Sequence, residues 1–167
     1  MQPIALFGLS VALSFVAWGL VAAYAIWPAL RDRTFADAMR PLLILHSFRF
    51  VGLSFLIPGV VSGDLPANFT FDAAYGDIAA TLLALAALAS LRTSLGIPLL
   101  WIFNVWGAAD LINAFYQGNA GGLSPGHLGA AYFIPTVFVP LALITHGLMF
   151  RLLLRRLHRH DARYATL

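Results

Sequence analysis

Apolar residues along this chain gather into five long blocks, at about 4–30, 41–62, 73–91, 97–117 and 127–150. A helix needs roughly 20 mostly apolar residues to cross the ~30 Å hydrocarbon core of a bilayer. Each block meets or approaches that length. The links between them carry Pro, Gly, Asn and Asp, the residues that break helices and favour turns. The pattern predicts an all-α integral membrane protein with five transmembrane helices in a single domain over residues 1–167. Residues 151–167 form a basic tail. No internal repeat of the transporter type stands out.

Composition agrees with the pattern. Hydrophobic residues make up 60% of the chain and charged residues 10%, and the mean hydropathy is +0.84. A soluble domain carries roughly 25% charged residues. Cysteine is absent, which excludes disulfides, thiolate metal sites, iron–sulfur clusters and cysteine nucleophiles. Lysine and glutamate are absent too, so the basic balance comes from ten arginines. Nine of these flank the apolar blocks, which argues for membrane topology and against a nucleic-acid surface.

The placement of those arginines predicts an orientation. Arg31, Arg33 and Arg40 follow the first block, Arg92 the third, and Arg151, Arg155, Arg156, Arg159 and Arg163 the fifth. The alternate links, 63–72 and 118–126, contain no Lys or Arg. Positive charge marks the cytoplasmic side, so the amino terminus is expected outside and the carboxyl terminus inside, in a bacterial inner membrane. No basic residue precedes the first block and its arginines come after it, so it reads as a retained span and not as a cleaved signal.

Several polar features lie outside the blocks. "TFAD" at 34–37 has the form of a capping box that could open a short interfacial helix, with a plain connector as the simpler reading. Arg151, Arg155 and Arg159, spaced by four, form one helical face suited to anionic lipid headgroups. His158 and His160 read as part of a solvated tail. On the outer side, Asp64, Asp72, Asp77 and His127 could bind a divalent cation. Their spacing fits no ligand motif, and solvated turns and a helix dipole account for the acids.

Within the blocks the polar set is short, and ionisable residues at such depth are functional hypotheses. His46 and Arg49 stand at i and i+3 on one face of the second span. Asp110 and Asn113 are neighbours in the fourth, with Asn104 turned away from them. The fifth offers Tyr132, Thr136 and His146. At ~1.5 Å per residue, His46 and His146 come out at nearly the same depth, close to the cytoplasmic side. Arg49 lies nearer the depth of Asp110 and could pair with it.

Three readings fit this set. In the first, the polar contacts are structural and hold the helices together. In the second, His46 and His146 ligate a b-type haem, haem b, for electron transfer or sensing. Phe48, Phe50, Trp101, Phe103 and Trp106 would wall that site, with Asn104 and Tyr132 nearby. Arg40, Arg92 or Arg151 would meet the propionates. In the third, Asp110, Arg49 and His46 form a polar path in a small proton-coupled transporter or channel, with Pro58, Pro135 and Pro140 breaking the helices. The haem reading is the leading expectation, with Arg49 orienting a neighbour or balancing Asp110. Small size and abundant Gly and Ala add the expectation of a homodimer in the lipid bilayer; a redox partner or substrate is not legible. No nucleophile–base or carboxylate-pair pattern supports a membrane enzyme.

Two stretches, "FRFVGLSFLIPG" at 48–59 and "LPANFTFDAAYGD" at 65–77, carry a resemblance. In them the chain resembles a group of small bacterial integral membrane proteins that share an FRxxGxxFLxPG and LPxxFxxxAAxGD pattern. The resemblance implies a bacterial inner-membrane location and a retained Arg49, and it brings no activity with it.

Overall fold

A computed structural model describes residues 2–164 of the chain, with side chains described as far as His158. The described residues are almost wholly helical, and five of the helices are long and apolar enough to cross a membrane. They are α1 (Pro3–Leu30), α2 (Phe35–Leu56), α3 (Ala67–Ser90), α4 (Gly96–Ala120) and a fifth, Ile134–His158, made of a π turn and most of α5 (Val139–Tyr164). Arg159, His160 and Arg163 of the tail have side chains outside those described.

The helices begin and end differently from the apolar blocks, for local reasons. α2 starts at Phe35 and not near 41, because Thr34 caps it: the Asp37 amide donates to Thr34 Oγ1 at 3.3 Å. The second half of the polar link, with Asp37 and Arg40, is thus the first turns of α2. α3 starts at Ala67, six residues before the apolar block, since "ANFTFD" is helical despite its polar residues. α2 changes character in mid-course, from an α-helix over Phe35–His46 to a 3₁₀ helix over Ser47–Leu56. The chain then turns through Pro58 and Gly59, the latter at φ +84°. The start of the fifth block is not a plain helix either. It is a 3₁₀ stretch, Pro125–Tyr132, and a π turn, Ile134–Phe138, that holds Pro135.

α1 stands apart. None of its residues from Pro3 to Val21 is buried, and it is apolar all round, as suits a helix surrounded by lipid. It is fastened by a few contacts: Trp18 Nε1 donates to the Val137 carbonyl at 3.1 Å, and the Tyr132 hydroxyl to Ser10 Oγ at 3.2 Å. Helices α2 to α5 form the bundle. The small residues Ala73, Ala74, Ala80, Ala84 and Ala87 run along the buried side of α3 and let its neighbours approach closely.

The interior has two apolar cores. One, around Met39, Leu43, Leu100, Phe103 and Met149, lies toward the end of the bundle that carries the arginines. The other, around Phe55, Phe69, Leu111, Leu128 and Ala142, lies toward the opposite end. At the arginine end, Arg151 and Arg155 stack over Trp27 at 3.9 and 4.5 Å, and Arg156 over Phe35 at 4.7 Å. Contacts of this kind are attractive, particularly when partly desolvated. They tie α5 to the end of α1 and the start of α2.

Candidate functional site

Between the two cores lies a layer of buried polar side chains from all four bundle helices. At its centre is Arg49, from the 3₁₀ part of α2, which has no solvent exposure. Its Nε donates to Asp77 Oδ1 of α3 at 2.7 Å, and its Nη2 lies 2.7 Å from the same oxygen. Nη2 also meets Asp110 Oδ2 of α4 at 2.5 Å, and Nη1 donates to the Gly107 carbonyl at 3.0 Å. A planar guanidinium presents five donors in a fixed fork, and here the fork joins three helices.

Glycine makes this approach possible. A Cβ built on Gly52 would collide with the Asp77 carboxylate, and one on Gly76 with that of Asp110. Gly52 and Gly76 both lie in the stretches that carry the resemblance, alongside Arg49 and Asp77. The sequence pattern therefore includes an ion pair and two of the gaps that admit it.

A second cluster adjoins the first. His146 Nδ1 lies 2.7 Å from Asn104 Oδ1, while Asn104 Nδ2 donates to the His146 carbonyl at 3.3 Å. With Nδ2 as the donor end, Oδ1 accepts, so His146 carries its proton on Nδ1 and leaves Nε2 as a bare lone pair. His46 Nε2 lies 3.0 Å from Thr145 Oγ1. His46 Nδ1 and His146 Nε2 are buried without a hydrogen-bond partner. Gly107 separates the clusters: a Cβ there would lie 2.7 Å from His146 Nε2 and 3.0 Å from Arg49 Nη1.

The two imidazole rings are in contact, with centroids 4.1 Å apart and planes tilted by 43°. Phe103 closes on both, with its ring centred 5.2 Å from each. Bis-histidine ligation places an iron porphyrin between its two axial rings, and rings already touching leave no such gap. The other expected walls are elsewhere. Phe48, Phe50 and Trp106 face outward, about half exposed. Trp101 packs against Phe150, with ring centroids 6.0 Å apart, and Tyr132 reaches Ser10 of α1. These residues do not surround a haem between His46 and His146.

Asp77 is the residue that sequence reasoning misplaced. Assigned to the start of a span, it is in fact ten residues into α3 and buried, about 15 Å along the helix at the usual rise. Its apolar surroundings, "AAYGDIAA", were the available signal. The remaining acids stay apart from it. Asp72 accepts from Gln117 Nε2 at 3.1 Å, and Asp64 pairs with Ser62. His127 Nδ1 accepts from the Ser124 amide at 3.4 Å. Among the described residues no group of three or more His, Cys, Asp or Glu could hold a metal ion.

Asp77 and Asp110 also line a cavity of about 740 Å³. Its walls come from the beginning of α1, the end of α2, the first half of α3, the second half of α4 and the approach to α5. They are largely apolar, with Phe7, Phe55, Phe69 and Phe115 prominent. The cavity occupies the end of the bundle opposite the arginines, and the two carboxylates stand at its inner limit.

A comparison with curated proteins finds no match to this chain, and a comparison with solved structures finds none either. A family model does match, over residues 6–154, and so takes in nearly the whole of the five long helices and every residue of the polar layer. The chain belongs to that family, described as a domain of unknown function (DUF8737).

Proposed function

We propose that the protein is a small multi-pass carrier of the bacterial inner membrane that moves a small molecule from its cavity in step with a proton. Its amino terminus lies outside and its carboxyl terminus in the cytoplasm, by the one-sided placement of the flanking arginines. The cavity then opens to the outer side.

The observation that supports this reading best is the arrangement of two carboxylates around one arginine at the floor of an open cavity. One guanidinium balances one carboxylate. Charge left over in a low-dielectric interior is costly, so the second carboxylate requires a proton or a cation. A site that exchanges one for the other couples their movements, as carboxylates within membrane spans commonly do. The backbone adds support. Arg49 rides on a 3₁₀ stretch of ten residues, where runs beyond 3–4 are uncommon and often mark a hinge.

A haem held by His46 and His146 has less in its favour, given the contact between the rings. A purely structural layer accounts for the hydrogen bonds but not for the cavity that ends on the acids.

The test is uptake by proteoliposomes. A labelled mixture of small molecules is supplied under an imposed pH gradient, and the lumen is assayed by mass spectrometry. At least one compound is expected to accumulate with the gradient and to fail to do so in Asp110→Asn. Accumulation that ignores both the gradient and this substitution, or no accumulation of any compound, overturns the reading.

A further inference from the structure

We infer that the ligand of the cavity is a lipophilic monocation, held by the Asp77–Asp110 pair and enclosed by the phenylalanines. The inference concerns the same site as the carrier reading, rests on it, and names the chemistry of what enters it.

Charge complementarity is the first ground. Among the described residues, Asp77 and Asp110 are the only charged ones that line the cavity. Arg49, their common partner, is fully buried behind them and does not line it. A molecule in the cavity therefore meets two carboxylates at first hand and one guanidinium at second hand. With both acids ionised the floor carries one net negative charge. The other arginines with described side chains follow α1 and α3, lie in the first turns of α2 or in the second half of α5, at the far end of the bundle. An anion would face this floor without a donor of its own, and a neutral molecule would leave the charge unmet.

The walls supply the second ground. Phe7, Phe55, Phe69 and Phe115 present apolar surface and aromatic faces, and aromatic faces attract cations, more strongly when water is excluded. Such walls suit a cation that buries its own apolar bulk and would serve poorly for a small hydrated ion, which needs oxygen ligands in number. Besides the two acids, the polar side chains among the described lining residues are Gln2, Asn119 and Ser124, which belong to the outer ends of the elements. The ligand thus enters past a polar rim, lays its bulk among phenylalanines, and directs its charge inward.

The experiment uses the full chain in detergent and calorimetric titration with tetraphenylphosphonium. Tetraphenylborate, of the same shape and opposite charge, is the control. The phosphonium is expected to bind and the borate not to. Asp110→Asn and Asp77→Asn are each expected to weaken binding at least tenfold, with folding checked by thermal unfolding. Should either neutralised variant fail to fold, Gly8→Leu tests the same cavity without touching the charges. Gly8 lines the cavity, and a Cβ added there would meet no atom within 4 Å. The substitution is expected to lower affinity several-fold by occupying volume. Equal binding of both ions, no binding of the phosphonium, or unchanged affinity in the folded variants overturns the inference. The two readings fail separately. Phosphonium binding without gradient-driven uptake removes the carrier and keeps the cation site. Gradient-driven uptake of a neutral or anionic compound, without phosphonium binding, removes the cation site and keeps the carrier.

Discussion

Two buried polar clusters meet at Gly107, and they differ in nearly every physical respect. On one side Arg49, Asp77 and Asp110 are three ionisable groups, and the two acids border a cavity. On the other, His46, His146, Asn104 and Thr145 are uncharged when the histidines are neutral, and are sealed from any exposure above 1%. The charged cluster draws its partners from three helices and needs glycine at the points of closest approach. The neutral one is assembled by hydrogen bonds of ordinary length between α4 and α5 and between α2 and α5. A buried charge set is costly to assemble and very costly to break, whereas a neutral hydrogen-bonded set resembles the usual cement of helix bundles. On the carrier reading proposed above, the difference assigns the coupling to the first and helix cohesion to the second.

The largest expected effect comes from removing the central cation. Arg49→Met leaves the buried Asp77 and the partly buried Asp110 carboxylates without a partner, and a loss of about 3–5 kcal/mol is expected. It is read as a collapse of thermal stability in detergent. A variant as stable as the parent would show that the charged cluster is not held together by Arg49.

Gly107→Ala tests whether the clusters press on each other. The added methyl would stand 2.6 Å from His146 Cε1 and 3.0 Å from Arg49 Nη1. Overpacking of this kind costs about 1–3 kcal/mol. Thermal unfolding unaffected by the substitution would mean that the two clusters have room to shift independently.

The neutral cluster offers a finer comparison. Asn104→Ala strips His146 Nδ1 of its acceptor and is expected to destabilise by about 1–3 kcal/mol. Replacing both partners, Asn104→Leu with His146→Leu, is expected to recover part of that loss, because no polar atom is then left unpaired. A double variant worse than the single one would give the neutral cluster a role beyond packing.

The smallest effect expected is none. Protein purified with haem available should show no Soret band, and His46→Ala should leave the visible spectrum unchanged. A Soret band lost in both His46→Ala and His146→Ala would restore the haem expectation and reverse the contrast between the clusters.

The sequence by itself determined the five apolar helices, because the length and composition needed to cross hydrocarbon are properties of consecutive residues. It also brought out Arg49, Asp110, His46 and His146, since an ionisable group within an apolar block is conspicuous without any partner. Helix periodicity turned Asn104 away from Asp110, and the structure puts it on His146. Only the tertiary structure decided that Asp77 shares Arg49 with Asp110. Its depth depends on where α3 begins, and polar residues at the start of that helix disguise the boundary. Likewise, equal depth could not say whether His46 and His146 stand a porphyrin apart or ring against ring. That distance depends on how closely the helices approach, which Gly107 and the alanines of α3 allow but do not announce. The cavity too belongs to the fold alone, for its walls come from residues more than a hundred positions apart, brought together by the packing of α1 against the approach to α5.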